Sequence, residues 1–264
     1  MHKHDYMQSF ELEVENSITS GNEIENLNRT RTQAKIALYG NDYEVSSSKW
    51  HDHNDNKFSC TLGTGSVFDE KIKAFHFDYS QSSLITCPYD ISQSKHKELT
   101  IEVIFKLDED FNADVTSGWI VGQDNGGYDR SLILSDNRYG GMGQGIGSTY
   151  TSGISTPSAG VWHHAISTYR QGVVAGSFIT LDGQVGAKTT ARNGDGMPSF
   201  TIGGLQNYAN HGIKGYIKDV RIYEEAFDNA AAANAFDEVK EYLAKLNAPS
   251  HAEIALYGND YSRY

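Results

Sequence analysis

Basic residues, prolines, cysteines and long apolar runs are all scarce in this chain, and each shortage excludes something. Twenty-two Lys and Arg stand against 34 Asp and Glu, a net charge of -12. That balance repels phosphate backbones and anionic surfaces, so no nucleic acid is expected as a partner. No apolar stretch approaches the roughly 20 residues that span a bilayer, and the opening "MHKHDYMQSF" lacks the apolar centre of a signal peptide. Membrane insertion is therefore not expected. Two cysteines, Cys60 and Cys87, are too few for disulfides to organise the fold. A bond between them would be worth about 3–4 kcal/mol, and two free thiols fit the sequence equally well.

What is present is glycine, 26 residues of it, with Tyr, Thr, Ser and Val scattered through short runs. Such a composition suits many strands joined by tight turns. Residues 1–33 read as an acidic N-terminal arm with one alternating stretch, "FELEVE". From 34 to 227, apolar runs recur about every ten residues between turn residues, the pattern of an all-β sandwich. In "LTIEVIF", Leu99, Ile101, Val103 and Phe105 point one way, and Thr100, Glu102 and Ile104 the other. One face of that strand belongs to the core, while the other must accommodate a carboxylate. Residues 228–248 read as a helix, with Phe236, Val239, Leu243 and Leu246 as its apolar stripe, Asp228 as N-cap and Pro249 after the stop. The stripe is expected to pack on the outside of the sandwich.

The tail, 249–264, contains a repeat. "IALYGNDY" occupies Ile36–Tyr43 and again Ile254–Tyr261, preceded by Ala34-Lys35 and Ala252-Glu253. Eight identical residues are not chance. They mark either the first strand of a further tandem module or a strand that takes its twin's place in a neighbouring molecule.

Six motifs in order carry a resemblance. "SSSKWHDHNDNKFSCTL", "AFHFDYSQSSLIT", "ELTIEVIFKL", "GVWHHAISTY", "GSFITLDGQ" and "GYIKDVRIYEEAF" are similar to motifs of laminin G-like and concanavalin A-like modules. The resemblance covers residues 36–227 and implies a jelly-roll β-sandwich of two curved antiparallel sheets. It also implies an extracellular or surface location and a binding role, to glycan or to a surface protein. Within it, Trp162 and His163 read as core packing with an edge hydrogen bond, and Asp182-Gly183 as a hairpin turn whose carboxylate need bind nothing. Asp219 and Arg221 alternate with Val220 and Ile222 and are expected to face away from the core.

Candidate chemistry concentrates in "GQDNGGYDRS". Gln123, Asp124, Asn125 and Asp129 put hard oxygen ligands on one flexible loop, as calcium requires. The Asp124-Asn125 step resembles half of the double-calcium site of pentraxins, whose other half would fall on Gln206 and Asn207, with Leu205 where a carboxylate is expected. Calcium is thus the candidate cofactor, on Asp124, Asn125, Gln206 and Asn207, weakened by the two missing carboxylates, and an ordinary Asn/Asp turn is the alternative. The loops at 122–130, 138–153 and 204–212 are the expected ligand rim, with Asp129, Tyr139, Tyr150 and Tyr208 facing the ligand. The pair His51 and His53 lacks a specified third ligand for zinc. The glycine-rich "GGMGQGIG", 140–147, has no phosphate-binding register and reads as a flexible or closely packed loop.

An enzyme reading needs paired carboxylates about 5–5.5 Å apart. Glu11, Glu13 and Glu15 alternate suitably but lie in the arm, while Glu98 and Glu102 would stand about 13 Å apart on one strand. The first expectation is therefore a non-catalytic recognition module. A structural or assembly protein that self-associates through the repeated strand is the alternative, and a glycoside hydrolase ranks behind both.

Overall fold

The computed structural model describes residues 34–248 except 56, 112–116, 127–128, 136–141, 147–149, 193, 207 and 209–210, and omits the side chains of 81, 117, 135 and 150–153. Glu11, Glu13, Glu15, Tyr139, Asn207 and the second octapeptide lie outside the described residues, as does the side chain of Tyr150. The strands are β1 (Ile36–Tyr39), β2 (Lys49–His51), β3 (Ser59–Leu62), β4 (Val67–Asp69), β5 (Ala74–Asp78), β6 (Ile85–Cys87), β7 (Glu98–Leu107) and β8 (Ser117–Gly122). They continue as β9 (Arg130–Ser135), β10 (Met142–Ile146), β11 (Tyr150–Ile154), β12 (Trp162–Arg170), β13 (Phe178–Leu181), β14 (Gln184–Val185), β15 (Phe200–Ile202) and β16 (Lys214–Tyr223), before helix α1 (Asn229–Leu246).

These strands form two antiparallel sheets. One runs β14-β13-β12-β7-β16-β5-β4, with β1 also paired to β16, and the other runs β11-β10-β9-β8-β15-β6-β3-β2. Period-two text is the cause: Leu99, Ile101, Val103 and Phe105 of β7 meet Ile217, Val220 and Ile222 of β16 and the inward side chains of Ile85, Val121, Leu132 and Phe200. Burying each such side chain is worth about 1.5–3 kcal/mol.

The other face of β7 is covered as well. Thr100, Glu102 and Ile104 are fully buried, because α1 lies back across the first sheet, packing Val239 and Leu243 on Ile104 and Trp162. Asp228 caps the helix, its side chain accepting from Ala231 N at 2.8 Å. The expected stripe omitted Ala232 and Ala235, which pack on Ile166 and Phe178; small side chains there let the helix approach the sheet. Phe236 and Leu246 are only partly buried. Asp219 and Arg221 do leave the core between the sheets, yet they are 6% and 3% exposed, in a second buried layer that Tyr242 of α1 also approaches.

Two other expectations are corrected. "GGMGQGIG" is not a loop: β10 fills its centre, paired to β9 on one side and β11 on the other. Its glycines alternate with Met142, which joins the core, and Gln144, which accepts from Ser167 Oγ at 2.9 Å. Asp182 is not idle. With φ of 49° ahead of Gly183 at 78° it makes the β13–β14 hairpin turn, and its carboxylate also grips His163 Nδ1 at 2.7 Å and His164 N at 2.9 Å. The open cysteine question resolves as a Cys60–Cys87 disulfide joining β3 to β6.

Candidate functional site

The second sheet turns Cys60, Ile85, Cys87, Phe200 and Ile202 into the core, so the residues between them face outward. Thr61 lies opposite Thr86, and Thr86 opposite Thr201. Beside this ladder is an open groove of about 380 Å³ lined by Thr61, Leu62, Gly63, Thr64, Ser82, Leu84, Thr86 and Gln206. Among the described residues, no lining side chain is ionisable. The disulfide fixes the two strands that floor the groove, and Gly203, at φ 86°, starts the turn that brings Gln206 over it; a Cβ there would stand 1.9 Å from the Phe77 ring. Gln206 Oε1 is shielded from solvent and has no hydrogen-bond partner among the described residues.

The 122–130 turn approaches Tyr208, since a Cβ on Gly126 would sit 3.9 Å from the Tyr208 hydroxyl. Tyr208 is 38% exposed and lies against His211. Within the turn, Asp124 Oδ1 accepts from Gly126 N at 2.8 Å and Asp129 Oδ2 from Asn125 N at 3.0 Å. Asn125 Nδ2 donates to Asp195 O at 2.6 Å. Burial pushes the Asp129 carboxyl up to about 6, opposed by the Asn125 N–H and reinforced by Asp124, Asp195 and Asp90. Gln93 is 2% exposed, and neither of its amide atoms has a partner among the described residues. Arg130, at the end of the turn, donates to Ile91 O at 3.1 Å and to His96 O, over the Tyr169 ring. Burial lowers its guanidinium to about 10.

A denser ionisable set lies under α1. Glu102 Oε1 meets His164 Nε2 at 2.7 Å and Arg221 Nη1 at 3.2 Å, and its Oε2 accepts from the Tyr223 hydroxyl at 2.7 Å. Arg221 Nε donates to Tyr39 Oη at 3.2 Å. Burial works against the Arg221 charge, but Glu102 beside it overrides that and holds the guanidinium well above its ordinary value. Glu102 and His164 are 0% exposed, so these groups meet one another out of contact with solvent.

The structure therefore divides the residues singled out from sequence. Asp124, Asn125 and Asp129 share one turn, with Tyr208 beside it, whereas Gln206 faces the hydroxyl-lined groove. Asp124 Oδ1 and Asp129 Oδ2 each accept from a backbone N–H of the turn, and no three His, Cys, Asp or Glu side chains among the described residues are arranged to hold a metal ion. Thr61, Ser82 and Thr86 were missed by sequence reasoning, as were Gln93 and Asp195. The available signal was the Thr alternating with core residues in "SCTL" and "LITC".

The sequence model of the concanavalin A-like lectin/glucanases superfamily matches residues 80–233. No curated protein matches the sequence significantly. Among solved structures, Trypanosoma rangeli sialidase in complex with sialic acid aligns with a TM-score of 0.58 at 16% identity, over 79% of this chain and 33% of that one. The binding domain of botulinum neurotoxin serotype D aligns with a TM-score of 0.55 at 12% identity, over 78% and 52%. This chain thus spans about a third and about half of those two, and at such identities the likeness is one of fold.

Proposed function

The chain belongs to the concanavalin A-like lectin/glucanases superfamily, and from that premise we propose that it is a non-catalytic recognition module for a neutral glycan on a cell surface or in the extracellular space. The observation that carries this reading is the groove beside the Thr61–Thr86–Thr201 ladder. Hydroxyls and two leucine side chains, with no charged side chain among the described lining residues, match the surface of a neutral sugar. Tyr208, two residues on from Gln206 and 38% exposed, offers an aromatic face on the neighbouring loop. The disulfide suits an oxidising compartment, and no helix of the described residues is long and apolar enough to cross a membrane. Against hydrolysis, the two carboxylates on the central strand are both paired, Glu102 under α1 with His164, Arg221 and Tyr223 and the exposed Glu98 with Arg170 at 3.0 Å.

A glycan array tests this, run on the intact chain and on Thr86→Arg, in calcium and in chelator. Neutral glycans are expected to be retained in both conditions and lost at least tenfold in Thr86→Arg. Retention that chelator abolishes would move the site to a calcium on Asp124 and Asn125, and no retention anywhere would sink the recognition reading. A second reading, a module that assembles with copies of itself, is favoured by the recurrence of the β1 sequence at 254–261.

A further inference from the structure

The first octapeptide fits its place residue by residue. Ile36 and Leu38 enter the core, and Ala37 is 0% exposed, with its N–H on Asp52 Oδ1 at 2.6 Å. The Tyr39 carbonyl accepts from Trp50 Nε1 at 2.9 Å and its hydroxyl from Arg221. Gly40 is obligatory, because a Cβ there would stand 1.9 Å from Lys73 O. Asp42 pairs with His53 at 2.7 Å, and Tyr43 packs on Phe68 and Phe75. Every one of these residues recurs at 254–261, down to Gly258 and Asp260. The flanking difference, Lys35 against Glu253, falls where only a backbone N–H is used, donating to Ile222 O at 2.7 Å.

We infer that residues 254–261 are a second key for this socket and occupy it in another copy of the chain, paired to β16 in the register of β1. This rests on the assembly reading. Reach selects a second copy over the chain's own socket. Asn247 is tied to the Trp162 backbone by bonds of 2.7 and 3.0 Å, and Trp162 stands across β7 from Tyr216 of β16. Entry to the socket is at the other end, opposite Ile222. Going back along β16 and across three strand spacings takes about 25 Å, and the seven residues from 248 to 254 span at most about 25 Å. That straight path is already filled by α1, packed on Ile104, Trp162 and Ile166. Exchange swaps like contacts for like, so in the intact chain it is governed by concentration and grows whenever the resident strand is weakened.

Leu38→Ala weakens the resident strand and leaves Leu256 in the tail as the better key. Light scattering on the full chain should show Leu38→Ala associating at least tenfold more tightly than the intact protein, and Leu38→Ala with Leu256→Ala returning to the intact level. A labelled peptide of sequence 252–261 should bind the Leu38→Ala chain and dissociate its oligomers, and the same peptide with Leu256→Ala should not. Equal association of the single and double variants, with the peptide inert, overturns strand exchange while leaving assembly by another surface standing. Single-chain mass for Leu38→Ala at all concentrations, with no peptide bound, overturns both.

Discussion

Beneath α1, Glu102 is met by His164, Arg221 and Tyr223; at the 122–130 turn, Asp129 accepts from Asn125 N and has Asp124, Asp195 and Asp90 as neighbours. Both regions bury charge, and they treat it in opposite ways. Under the helix, unlike charges and hydroxyls converge, so that each burial cost is offset by a partner. At the turn, burial, with neighbouring carboxylates adding to it, lets one carboxyl hold a proton up to about pH 6. The first set is compensated by opposite charge, whereas the buried carboxylates of the turn are relieved by backbone N–H groups.

The comparison breaks most visibly at Glu102. Glu102→Ala leaves Arg221 buried without its main counter-charge and is expected to cost about 3–5 kcal/mol, read as a lowered denaturant midpoint; a loss under 1 kcal/mol would mean the cluster is not the compensated set described here. Next, Leu243→Ala removes packing beneath the helix that seals this set. It should cost about 2–4 kcal/mol and leave glycan retention intact.

The acidic turn should respond with the opposite sign. Because the Asp129 carboxyl is raised from 3.8 to about 6, the folded state holds a proton that the unfolded chain releases between those values, and stability falls as pH rises through that window. Asp129→Asn should therefore stabilise by about 1–2 kcal/mol at pH 7.5 and by almost nothing at pH 4. Thermal melts at the two pH values decide it, and destabilisation at pH 7.5 would refute the raised, buried carboxyl. Smallest is Asp228→Ala, expected to cost about 1 kcal/mol by removing the α1 cap, with unchanged strand content by circular dichroism.

Much of the architecture was legible because it is periodic. The alternation of Leu99, Ile101, Val103 and Phe105 gave β7 its core face, the spacing of Val239 and Leu243 gave α1 a buried face, and Asp182-Gly183 announced its hairpin. The 140–147 stretch misled because glycine carries no side chain to reveal a period, although Met142 and Gln144 were alternating beneath it. The site was less legible. Thr61, Thr86 and Gln206 are far apart in the chain and individually ordinary, and the groove exists only where β3, β6 and the turn after β15 lie side by side.

Composition and periodicity by themselves determined an acidic all-β sandwich with a capped helix behind it, since burial of a strand or helix face depends on neighbours two to four residues away. Strand order and register decided the rest. They alone set Glu102 against Arg221, Cys60 against Cys87 and the groove beside Gln206, because pairing between distant strands is fixed by the packing of the whole core and leaves no local mark on either partner.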